Sequence, residues 1–158
     1  MTEFSHIDTD GKVRMVDVTA KEPTERMAVA KGKIIMKPAT LVKILEGNMA
    51  KGNVLETARI AGVMAAKKTS ELIPMCHPLA LTFIQVDFRP DRKNCVIHIE
   101  ASARLIGRTG VEMEALTAVA TAALTVYDMC KSNDREMIIT DIHLAEKSGG
   151  KSGHFVRK

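Results

Sequence analysis

Asp128 and Lys131 stand three residues apart, so on a helix they share a face and can shift one another's ionisation. An acid and a base in one place are the parts of a proton-transfer site; the plainer reading is an ion pair at a helix end, with Lys131 near the negative pole of the dipole. Because a long uncharged run precedes the pair, a desolvated site is expected more than at an ordinary helix end. Glu112 and Glu114 begin the same run. A carboxylate accepts two parallel hydrogen bonds, which matches the ring N–H and exocyclic amine of a guanine or pterin, although both acids also suit the positive end of a helix.

Lys51-Gly52-Asn53 sets a cation beside the expected start of another helix, where free N–H groups and the dipole favour phosphate. The alternative there is an exposed lysine in a glycine turn before an Asn cap. Ile73-Pro74-Met75-Cys76-His77-Pro78 holds a thiol and an imidazole between two prolines, which suits a rigid binding loop or a plain turn. Cys76 and His77 find no third partner at metal-ligand spacing, so no metal is expected. Lys147-Ser-Gly-Gly-Lys-Ser-Gly has the look of a phosphate loop, but Ala145 occupies the first glycine position of that pattern and no helix follows. A mobile tail, able to close over phosphates, is the expectation from about residue 146 to 158.

These residues need elements to carry them. Ala115 to Tyr127 is uncharged, which marks a buried helix from about 111 to 131, and Thr109 with Glu112 has capping-box spacing at its start. Sixteen residues separate Glu112 from Asp128, roughly 24 Å along the axis, too far for one small molecule to bridge within one subunit. Cys95 to Leu105 alternates with a period of two, and pairs with Leu81 to Arg89 through the turn at Pro90 to Asn94. A loose arm over about 1–13, a short strand at Met15 to Thr19, a strand near Met27 to Met36, helices from Pro38 to about Glu46 and from Val54 to about Lys68, and a last strand at Met137 to Leu144 complete the order. That succession is the split β-α-β pattern: an α+β, ferredoxin-like sandwich with an antiparallel sheet and its helices on one face, in a single domain over 1–158. The long helix has too few polar positions for a monomer's surface, so a homo-oligomer is expected.

Composition narrows the function. A net charge of +4 without any basic block suits phosphorylated small molecules, and four Phe, one Tyr and no Trp leave little for stacking on nucleic acid. Three cysteines without a CxxC pair, no apolar signal core and no run of membrane-spanning length lead to the expectation of a cytoplasmic protein.

In order along nearly the whole chain, Met15-Val-Asp-Val, Lys51-Gly, Ala58-Arg-Ile-Ala-Gly, Ile73-Pro-Met-Cys-His-Pro, Gly110-Val-Glu-Met-Glu-Ala-Leu-Thr, Tyr127-Asp-Met-Cys-Lys and Lys147-Ser-Gly-Gly-Lys-Ser-Gly resemble the molybdenum cofactor biosynthesis protein C family, the cyclic pyranopterin monophosphate synthases. The resemblance implies a lyase that converts (8S)-3′,8-cyclo-7,8-dihydroguanosine 5′-triphosphate to cyclic pyranopterin monophosphate with release of diphosphate. It implies Asp128 as catalytic acid/base with Lys51 and Lys131 as partners, and Met75, Cys76, His77, Met113 and Glu114 as substrate-binding residues. Glu112, Arg26 and Lys147 are implied near the pocket, and the assembly as a hexamer, a trimer of dimers with sites at subunit interfaces. No cofactor is implied, Mg²⁺ on the triphosphate being the one metal the chemistry accommodates. Proton transfers suit Asp128 and a lysine of lowered pKa, and displacement at the α-phosphorus suits cations such as Lys51, Lys131 and His77. The competing expectations are a non-catalytic purine or pterin nucleotide sensor and, more weakly, a Cys/His zinc enzyme.

Overall fold

A computed structural model describes residues 10–151 and 153–158; the first nine residues of the expected arm and Ser152 of the expected tail lie outside them. The elements follow as β1 (Thr24–Ile35), α1 (Pro38–Leu45), α2 (Val54–Lys67), α3 (Thr69–Leu72), β2 (Phe83–Asp91), β3 (Val96–Gly107), α4 (Glu112–Cys130), β4 (Ile138–Ser148) and β5 (Phe155–Val156). They form one sheet in the order β2-β3-β1-β4-β5, every neighbouring pair antiparallel. β3 lies between β1 and β2, and β1 lies between β3 and β4, which gives two interleaved split β-α-β units and the ferredoxin-like arrangement.

The period of two explains the layers. Ala28, Ala30 and Ile34 of β1 and Ile97, Ile99, Ala101 and Ala103 of β3 turn to one face, where α4 meets them with Ala115, Ala118, Val119 and Ala122. Lys31, His98, Glu100 and Arg104 take the opposite face, with Lys31 Nζ 3.2 Å from Glu100. α2 packs beside α4 at close range because Gly62 has no side chain: a Cβ there would stand 3.0 Å from the Ala118 carbonyl and 3.1 Å from Val86. Asn53 caps α2 as its type predicts, its side chain accepting from Glu56 N–H at 3.1 Å.

Three expectations are corrected. Met15 to Thr19 makes no strand: Val13 forms a single bridge, the next residues run irregularly into the turn Lys21 N–H to Val18 O, and Val16 O is engaged by His77. The last strand does not end near Leu144; register shifts let β4 follow β1 as far as Ser148 opposite Met27, and Phe155–Val156 folds back on Glu146 and Lys147. Finally, α4 is buried along one side and not all round, since Met113 and Leu124 are exposed and Thr117, Ala120 and Thr121 are half-buried. No helix among the described residues is long and apolar enough to cross a membrane.

Candidate active site

Two separate groups of candidate side chains gather at the two ends of α4. At the C-terminal end, Lys131 Nζ is 2.7 Å from Asp128 Oδ1, and Lys51 Nζ donates to Asp128 Oδ2 and to the Asp128 carbonyl, each at 3.0 Å. Helical spacing brings Asp128 and Lys131 together; Lys51 arrives from the loop ahead of α2, 77 positions away in sequence. Lys51 therefore touches the end of α4 as well as standing near its own helix start. The Lys131 hydrogen bond and then that of Lys51 pull the Asp128 carboxyl down to about 2. The reciprocal bond from Asp128 pushes Lys131 up. Both side chains are more than half exposed, which corrects the expectation of a desolvated pair for the single chain, and Lys131, held protonated, is not the lysine of lowered pKa that the proton transfers suit. An exposed pair lacks the burial that would disfavour the charged lysine.

At the N-terminal end, a cavity of about 340 Å³ is lined by Met75, Cys76 and His77 on one side and by Thr109, Glu112, Met113 and Glu114 on the other, with Val16, Val18, Lys21 and Leu79 closing it. The proline-bounded loop and the start of α4, far apart in sequence, thus meet. His77 Nε2 lies 2.8 Å from the Val16 carbonyl, and because a carbonyl can only accept, the proton is on Nε2 and Nδ1 is the nitrogen left for a ligand. Glu114 is 3 % exposed; burial raises its pKa, with the neighbouring Glu112 adding to the shift. Burial and then Glu114 raise the Cys76 thiol too, so Cys76 stands as a neutral thiol and not an activated nucleophile. The cavity accordingly sets the carboxyl groups of Glu112 and Glu114 among the apolar side chains of Val16, Val18, Met75, Leu79 and Met113.

The expected capping box is absent. Val111 is the N-cap and makes no side-chain bond, and Glu112 turns away to Lys147 Nζ at 2.8 Å. The charge-assisted bond from a lysine is stronger than one from the Thr109 backbone N–H, the capping-box partner, and wins the carboxylate. Thr109 Oγ1 is left buried with no hydrogen-bond partner among the described residues. A second, basic cavity adjoins the first through Lys21 and is lined by Arg26, Arg108 and Lys151. Arg26 is seated there by the carbonyls of Gly107 at 3.3 Å and Arg108 at 3.4 Å.

A model of the MoaC family matches residues 15–150, a span that holds both groups of side chains. The chain belongs to the MoaC family. Proteins named cyclic pyranopterin monophosphate synthase are similar along its whole length. That of Desulfatibacillum aliphaticivorans is 65% identical over 158 residues, covering 100% of this chain and 99% of that protein. The one from Roseiflexus sp. (strain RS-1) is 58% identical over 156 residues, 99% of each. The one from Heliobacterium modesticaldum is 52% identical over 158 residues, 100% of this chain and 99% of that protein.

In this MoaC-family chain the site residues singled out from sequence lie in two separate groups. Met75, Cys76, His77, Glu112, Met113 and Glu114 line one cavity, Lys147 is joined to it through Glu112, and Arg26 lines the basic cavity next door. Asp128, Lys51 and Lys131 form the other half. Sequence reasoning missed Lys21, which lines both cavities, and Arg108, whereas Lys151 belongs to the tail expected to close over phosphates. Lys21 sits in an irregular segment without periodicity, and its neighbours Val16 and Val18 were flagged by the family motif alone. Among the described residues no group of three or more His, Cys, Asp or Glu side chains is arranged to hold a metal ion.

Proposed function

We propose that this chain converts (8S)-3′,8-cyclo-7,8-dihydroguanosine 5′-triphosphate to cyclic pyranopterin monophosphate with release of diphosphate, as a lyase of molybdenum cofactor biosynthesis. The observation that carries the reading is Asp128 bracketed by Lys131 at 2.7 Å and Lys51 at 3.0 Å, in a chain 65% identical to a relative named for that synthesis. Asp128, kept ionised, takes protons as the ring of the guanine opens and gives them back as the pterin closes; Lys131, kept charged, offsets charge at the phosphorus as diphosphate leaves. The apolar cavity with Glu112 and Glu114 receives the heterocycle edge, and Arg26 with its basic neighbours receives the phosphates. No resident cofactor has a part in these steps. Mg²⁺ enters, if at all, with the triphosphate.

The protein works as a cytoplasmic homohexamer, a trimer of dimers, in which Asp128 and Lys131 of one subunit face the Glu112–Glu114 end of another. Two things support this: the roughly 24 Å along α4 between the halves, and the exposed Ile60, Met64 and Leu124 on the outer sides of α2 and α4. Mixing inactive Asp128→Asn and Glu114→Ala subunits tests it. If each site draws its halves from two chains, random mixing makes about one quarter of the sites intact. No recovery in verified mixed oligomers sinks the shared site. Substrate binding without product in a single turnover sinks the enzyme reading in favour of a sensor.

A further inference from the structure

Asp134 follows Lys131 by three residues, and its side chain is completely withdrawn from solvent. Oδ2 accepts from the Lys37 backbone N–H at 2.8 Å and from the Thr40 hydroxyl at 3.3 Å, while Oδ1 accepts from Glu136 N–H at 3.1 Å. The first two donors are at the start of α1, whose own N-cap, Lys37, makes no capping bond. A carboxylate 97 positions along the chain does that work instead, and in doing so fastens α1 to the loop that leaves α4. Lys43 Nζ adds a second tie from α1 to the same loop, donating to Asn133 Oδ1 at 3.0 Å.

From α1 the chain turns at Gly47, where φ is 71°, and runs directly into the loop bearing Lys51. Lys51 then reaches back to Asp128. The Lys51 and Asp128 side chains are about half exposed, at 49% and 56%, and an ion pair so placed is too weak to hold a long lysine in position. The placement of the loop has to come from something buried: Met49, two residues before Lys51, lies in the core, and Asp134 is the buried polar group that joins α1 to the segment leaving α4.

We propose that Asp134 is the positioning residue of the Asp128 centre: through α1 it sets the loop from which Lys51 reaches Asp128, without itself touching substrate. The proposal rests on the reading of Asp128, Lys51 and Lys131 as the reacting cluster, and its test has one readout that does not need that reading. Zero-length carbodiimide coupling joins a lysine to a carboxylate only where they touch, so mass spectrometry of the treated protein gives the yield of the Lys51–Asp128 link relative to Lys131–Asp128. The second link, made within one helical turn, is the internal control for folding. In Asp134→Asn the ratio should fall severalfold and kcat should drop about ten- to hundredfold, the scale of a reacting group displaced by about an ångström. Thr40→Val, which removes only the hydroxyl donor, should move both in the same direction by less, and serves if the first variant folds poorly. An unchanged ratio in a folded variant overturns the proposal. A fallen ratio with normal turnover upholds Asp134 as the positioning group and overturns the catalytic reading of Lys51.

Discussion

Replacing Thr109 by valine should make the protein more stable, the reverse of what happens to a capping residue. The Thr109 hydroxyl is sealed from solvent and bonded to nothing among the described residues, α4 starts at Val111, and Glu112 is held by Lys147. A hydroxyl moved from water into such a place costs about 1–3 kcal/mol in protein mutational data, and the valine methyl fills the same volume without that cost. Thr109 as a whole is only half-buried, so part of the gain is lost and about 1 kcal/mol remains. In a chain of 158 residues that corresponds to a rise in Tm of about 2–4 °C. Were Thr109 the cap of α4, the same substitution would cost about 1 kcal/mol, so the sign decides between the two accounts. Urea unfolding followed by circular dichroism at one fixed subunit concentration measures it, the concentration being fixed because association shifts apparent stability. Thr109→Ser, which keeps the hydroxyl and drops the methyl, should fall below the wild type. A Thr109→Val protein less stable than wild type by about 0.5 kcal/mol or more, beyond the spread of neutral substitutions, refutes the reasoning.

Gly62→Val should destabilise by about 1–3 kcal/mol, because the new side chain must displace the Ala118 carbonyl and Val86 from contacts already as close as 3.0 Å and 3.1 Å; thermal melts at wild-type midpoints would show that α2 and α4 do not pack as described. The Asp128 carboxyl, at about 2 in the folded protein and about 3.9 when unfolded, favours the fold above about pH 4, and that contribution disappears as pH falls through about 2. Titration of ¹³C-labelled aspartate should show its midpoint rising more in Lys131→Ala than in Lys51→Ala, and the opposite order would mean that the cause of the shift is misassigned.

Most of the frame could be read along the chain because it rests on local rules. The alternation from Cys95 to Leu105 became β3, Asn53 capped α2, and Pro38 opened α1. Local rules failed where a distant group competed for the same atom. Glu112 had the spacing to cap α4, yet Lys147, 35 positions on, took its carboxylate. Val16 had the flanking residues of a strand, yet its carbonyl is bonded to His77, 61 positions on.

The sequence alone determined which chemistries were available: a carboxylate and a lysine one helical turn apart at Asp128 and Lys131, two acids at the head of the same helix, and a thiol and imidazole held between prolines. Their order also carried the family. Tertiary structure decided which of them meet and in what state. It brought Lys51 to Asp128, set the proline-bounded loop across from Glu114, and buried Glu114 while leaving Lys131 in water. Spacing along a helix fixes neighbours within a turn, whereas burial and ionisation depend on what the rest of the chain lays on top. That is why Asp128 and Lys131 stand more than half exposed where the uncharged run before them had suggested a desolvated pair.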